Sequence, residues 1–154
     1  LLVHASVHGG IDTPEVLAFM NMIKDLERIG DYNKNIFDLA EEGVSFTESP
    51  ELDSILSLRD EVSSRISLMG EILSMRDEER ARTYIERGDE MRKDFDRRVN
   101  ELLHSTEEAV TAVPRALLFR FLKRVSAHSS NVVSAVVMPV DQLDYYDESE
   151  DTRN

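Results

Sequence analysis

The stretch DLERIGDYNKNI, residues 25–36, is called the deciding stretch below, because it says most about the architecture and the chemistry of this chain. It lies inside a strongly helical segment, in which apolar residues recur every three or four positions. Glu27 and Asp31 are four residues apart, so their carboxylates leave the same helix face with Cβ atoms about 6 Å apart. Gly30 stands between them, where a helix favours Ala by about 1 kcal/mol, and this indicates that another group approaches the backbone there.

The pair Glu27 and Asp31 is a candidate metal site, because two hard oxygen ligands on one face can hold a divalent or trivalent cation. Fe, Mn, Mg and Zn are all compatible with such donors, and the two residues do not choose between them. The alternative interpretation is a solvated acidic face, since acid pairs at this spacing are common on exposed helices.

The same residues resemble the signature of the PhoU family, a group of all-helical regulators of bacterial and archaeal phosphate uptake. Members of that family carry two three-helix repeats, with a Glu-Arg-Ile-Gly-Asp-type motif on the third helix of each. The match is close over residues 24–36, and over the rest of the chain it is a match of pattern. The resemblance implies a metal bound through Glu27 and Asp31, assisted by acids on a second helix that would lie largely upstream of Leu1.

An internal repeat supports this interpretation independently. Residues 122–127 repeat the pattern of residues 26–31, with the Leu and Arg retained and Ile replaced by Val. Lys123 and Ala127 stand where the first copy has its two carboxylates, so no metal is expected at the second copy. His128 follows the second copy and is expected at the seam of the bundle as a hydrogen-bonded residue.

The chain is predicted to be all-α, an antiparallel bundle of four long helices with short connections. On the family's plan, residues 1–43 end with the third helix of a first repeat whose other helices lie upstream. Residues 44–50 are a linker, residues 51–138 form a complete three-helix repeat, and residues 139–154 are an acidic tail. In the first helix, the spacing places these residues on the seam that faces the bundle: Val16, Phe19, Ile23, Leu26, Gly30, Phe37 and Ala40.

Composition excludes several classes of function. Of 154 residues, 41% are hydrophobic and 32% charged, which is enough apolar surface for a packed core. The net charge of −13 argues against unaided binding to nucleic acid, since phosphate contacts need clustered Lys and Arg. No apolar run approaches the roughly 20 residues that span a bilayer, so no membrane insertion is expected. The absence of Cys fits a reducing cytoplasm.

The resemblance implies a cytoplasmic regulator of phosphate uptake and phosphate-responsive signalling, and not an enzyme. Such a protein docks on phosphate transporter subunits, on a sensor histidine kinase, or on both. Because a truncated first repeat exposes an apolar seam, a homo-oligomer such as a dimer is expected to cover it. The alternative within the same fold is a cytoplasmic PhoU-like domain of a sodium/phosphate cotransporter.

Interpretations from other functional classes are also open. A carboxylate-bridged metalloenzyme requires a second acid-rich helix facing Glu27 and Asp31, and a purely structural bundle requires nothing of them. Glu101 and His104 form one Glu-x-x-His unit, whereas a di-iron bundle needs two copies and further Glu residues. His4 and His8 have a zinc-ligand spacing without a third ligand nearby.

Overall fold

The computed structural model describes residues 13–137, with side chains from residue 16 onward. This part of the chain contains no strand and folds into four helices, named α1 (Thr13–Glu41), α2 (Leu52–Met75), α3 (Glu78–Leu103) and α4 (Ala109–Ser134). The predicted all-α helical bundle is confirmed. The predicted acidic tail and the pair His4 and His8 lie outside the described residues.

The last helix, α4, is the centre of the bundle, because it packs against each of the other three. α1 runs antiparallel to it, since Asp25 contacts His128 while Tyr32, further along α1, contacts the earlier Phe121. α3 is also antiparallel to α4, to which a short loop joins it, and α2 runs parallel to α4. The predicted antiparallel order of consecutive helices is therefore the observed one.

The core lies where α2, α3 and α4 meet. The inward face of α3 contributes Ala81, Ile85, Met91 and Phe95, all of which are buried. Facing them, α4 alternates large apolar residues with small polar ones. The small residues are fully or almost fully buried, and they let the neighbouring helices approach closely: Ser126, Ser129, Ser130 and Ser134.

The helix ends follow local rules. α1 is followed by Gly43, whose φ of 82° needs the left-handed region that glycine adopts without strain. α3 begins after Asp77, whose carboxylate accepts a hydrogen bond from the backbone N–H of Arg80 at 3.0 Å. Arg76 precedes it with a φ of 51° and forms the tight turn between α2 and α3.

The face of α1 that packs on α4 is not the predicted one. Ile29 is 7% exposed and packs into the core with four partly buried neighbours, Met22, Tyr32, Ile36 and Leu39. Phe19, Ile23, Leu26 and Phe37, which were predicted to face the bundle, are instead 62%, 50%, 44% and 62% exposed. These four residues together with Gly30, which is also exposed, are called the outer stripe below.

The error has a simple physical reason. α1 carries two apolar faces about 100° apart around the helix axis, and both show the spacing of three and four. Periodicity predicts that each face can be buried, but it does not say which face meets α4. The choice depends on α4 itself, because Asp25 on the inner face finds hydrogen-bonding partners there.

Candidate functional site

The predicted acid pair lies on the solvent side of α1. Glu27 and Asp31 are both exposed, and the Asp31 carboxylate accepts a long hydrogen bond, 3.5 Å, from the guanidinium of Arg28. The two side chains of that ion pair are more than half exposed, so it contributes little to stability. The structure therefore agrees with the sequence that the pair occupies one accessible helix surface.

These two acids alone do not make a complete metal site. Within residues 13–137, no group of three or more His, Asp or Glu side chains converges to hold a cation. Hard cations take about six oxygen ligands, so any ion at Glu27 and Asp31 would need most of its ligands from water or from another molecule. The metal site at this pair stays a prediction.

A polar cluster that the sequence reasoning missed joins α1 to α4. Asp25 is the first residue of the deciding stretch, and its Oδ1 lies 2.7 Å from Nδ1 of His128. The side-chain amide of Asn131 donates a second hydrogen bond to the same oxygen at 3.3 Å. The His128 and Asp25 side chains are only 8% and 14% exposed. An ionised carboxylate only accepts hydrogen bonds, so the His128 tautomer with its proton on Nδ1 is the one that can donate to it.

Aromatic contacts complete this cluster. The ring of Tyr32 stacks on the imidazole of His128, with centroids 5.7 Å apart and an interplanar angle of 18°. Tyr32 also contacts Phe121, and the centroids of these two rings are 6.3 Å apart. The prediction that His128 is a hydrogen-bonded residue at the seam is confirmed. Asp25, Tyr32, Phe121, His128 and Asn131 are called the α1–α4 cluster below.

The cluster has an internal pseudo-twofold symmetry that matches the repeat in the sequence. In the alignment of the two copies, Asp25 corresponds to Phe121, and Tyr32 corresponds to His128. The contact of Asp25 with His128 therefore has its counterpart in the contact of Phe121 with Tyr32. Tyr32 and His128, which are equivalent to each other, stack across the symmetry axis. Equivalent positions of the two sequence copies thus make equivalent contacts between α1 and α4.

A second buried polar network lies where α2, α3 and α4 meet, and it centres on Arg65. This arginine is 5% exposed, and its guanidinium donates to the Tyr84 carbonyl at 3.1 Å and to Oγ of Ser130 at 3.0 Å. The guanidinium also lies 3.8 Å from the centroid of the Tyr84 ring, whose hydroxyl donates back to the Arg65 carbonyl at 3.0 Å. One residue thereby links three helices.

Burial sets the electrostatics of this network. Desolvation lowers the pKa of Arg65, while the nearby Tyr84 and Glu61 oppose that shift. Desolvation likewise raises the pKa of Tyr84, so its phenol stays protonated and can donate. Gly88 makes the close approach possible, since a Cβ there would lie 2.4 Å from Oγ of Ser130 and 2.7 Å from Nη2 of Arg65. The network therefore links α2, α3 and α4 through buried hydrogen bonds.

The sequence did contain a signal for Arg65. It occupies an apolar seam of α2 at three- and four-residue spacing, and a charge in such a seam must be buried with partners. The Glu-x-x-His unit, in contrast, lies at the surface, where both residues have local partners. His104 Nδ1 lies 2.8 Å from the Asn100 carbonyl at an exposed helix end, and Glu101 pairs with Arg97.

An apolar groove of about 630 Å³ runs between α1 and α2 along α4. Its walls include Ile36 from α1, Phe46 from the connection, Leu56 and Ile66 from α2, and Leu118 from α4. None of the helices in the described part of the chain combines the length and apolar character that crossing a membrane requires.

Comparisons of this chain with models of protein families, with curated proteins and with solved structures gave no match. The class of the described part of the chain is defined by its architecture alone, an all-α bundle of four helices.

Proposed function

We propose that this chain is a PhoU-like regulator of phosphate uptake and phosphate-responsive signalling, which acts in the cytoplasm by docking its helical surfaces on other proteins. Its partners are phosphate transporter subunits, a sensor histidine kinase, or both. The proposal makes the chain a binding protein and assigns it no catalytic step.

The observation that carries the proposal is that α1 buries some residues of the deciding stretch and exposes others. Asp25 and Ile29 are turned inward and attach the helix to α4. Glu27, Gly30 and Asp31, which carry the resemblance, are turned to solvent. The buried half of this motif holds the helix in place, and the exposed half is accessible to a partner. A docking surface needs both, because exposed binding residues need a rigid support.

The exposed half offers polar contacts to a partner. Carboxylates at the rim of an interface steer encounter and fix register more than they add affinity.

The test is complementation in a bacterium that lacks its own regulator of this kind, with uptake of radiolabelled phosphate and a phosphate-responsive reporter as readouts. We expect the chain to lower both. The double substitution Glu27→Ala/Asp31→Ala is expected to lose this effect. The matched control is Glu86→Ala/Glu90→Ala on α3, because it removes an equally exposed acid pair with the same spacing.

The control pair also matches in its local ion pair, since Arg87 bonds Glu90 three residues away, as Arg28 bonds Asp31. Retained effect in the control and loss in the first variant would tie regulation to the motif. If the folded chain leaves uptake and reporter unchanged and does not co-purify with transporter subunits, the proposed function is wrong.

A further inference from the structure

The outer stripe of α1 is an apolar surface without a partner in the described part of the chain. Phe19, Ile23, Leu26 and Phe37 are each 44% to 62% exposed, and they follow one another along one side of a single helix. Single exposed apolar residues are ordinary, but an aligned row of large ones marks an interaction surface. The question is which molecule covers it.

Gly30 lies in the middle of this stripe, and nothing inside the described bundle requires a glycine there. A Cβ added at Gly30 would meet no described atom within 4 Å, whereas the same addition at Gly88 would collide with Arg65 and Ser130. A helix interior disfavours glycine relative to alanine. Gly70 in α2 shares this open space, so Gly30 is distinguished by its place within the outer stripe, where a missing side chain lets another backbone come close.

The pattern about Gly30 is self-complementary. Ile23 lies seven residues before Gly30 and Phe37 lies seven residues after it, so both are two helical turns from the centre. Two copies of α1 that cross antiparallel at Gly30 place Ile23 of each against Phe37 of the other. Such an arrangement is isologous, because the same surface serves both copies.

The charges beside the stripe match only in the antiparallel arrangement. Glu27 lies three residues before Gly30 and Lys34 four residues after it, so Glu27 of each copy meets Lys34 of the other. In a parallel two-fold pair, Glu27 of one copy and Lys34 of the other would lie on opposite sides of the contact, so the two charges would not meet. Lys34 now bonds Asp38 at 3.1 Å, but that pair is exposed and readily exchanged.

The charge pattern also distinguishes a second copy from other occupants. The chain as a whole carries −13, which would favour a basic partner, but the charged residues nearest the stripe carry both signs. Helix geometry places Glu27, Lys34 and Asp38 beside it. A surface that carries both signs fits its own reverse better than it fits a uniformly basic surface.

We propose that α1 pairs antiparallel with α1 of a second copy of this chain through the outer stripe, with the helices crossing at Gly30. Ile23 and Phe37 of the two copies form the apolar ends of the contact, and Glu27 and Lys34 set its direction. This inference does not depend on the proposed role in phosphate uptake, since it concerns the purified chain alone.

The first experiment is cross-linking through Gly30→Cys in the full chain. The sequence has no cysteine, so any disulfide forms between the introduced thiols. A disulfide needs Cα atoms about 5.5 Å apart, which the proposed crossing provides. We expect mild oxidation to convert most of this variant to a covalent dimer, and little of the control Ser57→Cys, an exposed position on α2. Equal yields from the two variants would overturn the proposal.

The second experiment tests direction by sedimentation velocity over a range of concentrations. The unchanged chain is expected to shift from monomer to dimer as concentration rises. Glu27→Lys and Lys34→Glu are each expected to weaken the dimer about tenfold, and Glu27→Lys/Lys34→Glu to restore it. Circular dichroism checks that each variant is folded. A chain that stays monomeric throughout, or a double variant as weak as the single ones, would overturn the proposal.

Discussion

At the scale of single residues, the glycines inside the helices differ in whether a side chain could be added to them. Gly88 is a packing requirement, because Arg65 and Ser130 occupy the space that a side chain would take. Gly30 and Gly70 have open space above them among the described residues. Replacing glycine with alanine is therefore expected to have opposite effects on the free energy of unfolding at crowded and at open positions.

We expect Gly88→Ala to lower the free energy of unfolding by about 1–3 kcal/mol, the usual cost of overpacking a core. The added methyl must displace the Arg65 guanidinium or the Ser130 hydroxyl, and it would strain the hydrogen bond between them. Urea denaturation measures the change. Gly70→Ala is the control and is expected to be neutral or to stabilise by up to about 1 kcal/mol, because alanine favours the helix. An equal gain in both variants would contradict the described packing of α3.

The acid pair also yields a prediction at this scale. If Glu27 and Asp31 hold a cation, elemental analysis of the purified protein will detect bound metal, and Glu27→Ala/Asp31→Ala will lose it. Glu86→Ala/Glu90→Ala should retain it, because that pair has the same spacing outside the motif. Metal that survives in the first variant would place the cation elsewhere. A protein that folds without metal would leave the pair as a solvated acidic face.

At the scale of elements, α1 is attached to α4 by a mixed polar and aromatic contact. Asp25 and His128 are mostly buried and share a short hydrogen bond, and Asn131 supports the same carboxylate. Buried charge-assisted hydrogen bonds contribute more than exposed ones, and removing one partner leaves the other unsatisfied. The contact should therefore appear as a measurable coupling between two helices.

A double-mutant cycle with Asp25→Ala and His128→Ala is expected to give a coupling free energy of about 1–3 kcal/mol in urea denaturation. The control cycle uses Lys34→Ala and Asp38→Ala, a pair on one exposed face of α1, where about 0.5 kcal/mol or less is expected. If the two cycles gave the same small value, the α1–α4 cluster would not be what positions α1.

At the scale of the whole molecule, stability is not evenly distributed. α2, α3 and α4 share the fully buried core and the Arg65 network, whereas α1 packs mainly on α4 and leaves the outer stripe uncovered. Elements with fewer buried apolar contacts open at lower free energy than the rest of a domain. α1 is thus the helix most readily affected by a partner.

Hydrogen exchange followed by mass spectrometry tests this distribution. We expect amides of α1 to exchange faster than those of α3 and α4 in dilute protein, where the chain is alone. Protection of α1 should rise with protein concentration if a second copy covers the outer stripe. Uniform protection over all four helices, independent of concentration, would mean that the bundle opens only as one unit.

Much of the architecture could be predicted because it depends on local pattern. The four helices and the place of His128 follow from apolar spacing and the internal repeat. That Glu27 and Asp31 share one face of α1 follows from helix geometry alone. These are short-range properties, which the sequence by itself determines.

Only the tertiary structure decided which apolar face of α1 is buried and what Arg65 does. Both depend on residues far away in the chain, since Asp25 needs His128 and Arg65 needs Tyr84 and Ser130. Two faces of α1 satisfy the same local spacing, and the free energy that separates them comes from long-range hydrogen bonds and packing. A periodic pattern specifies that a face can be buried, and its partner decides whether it is.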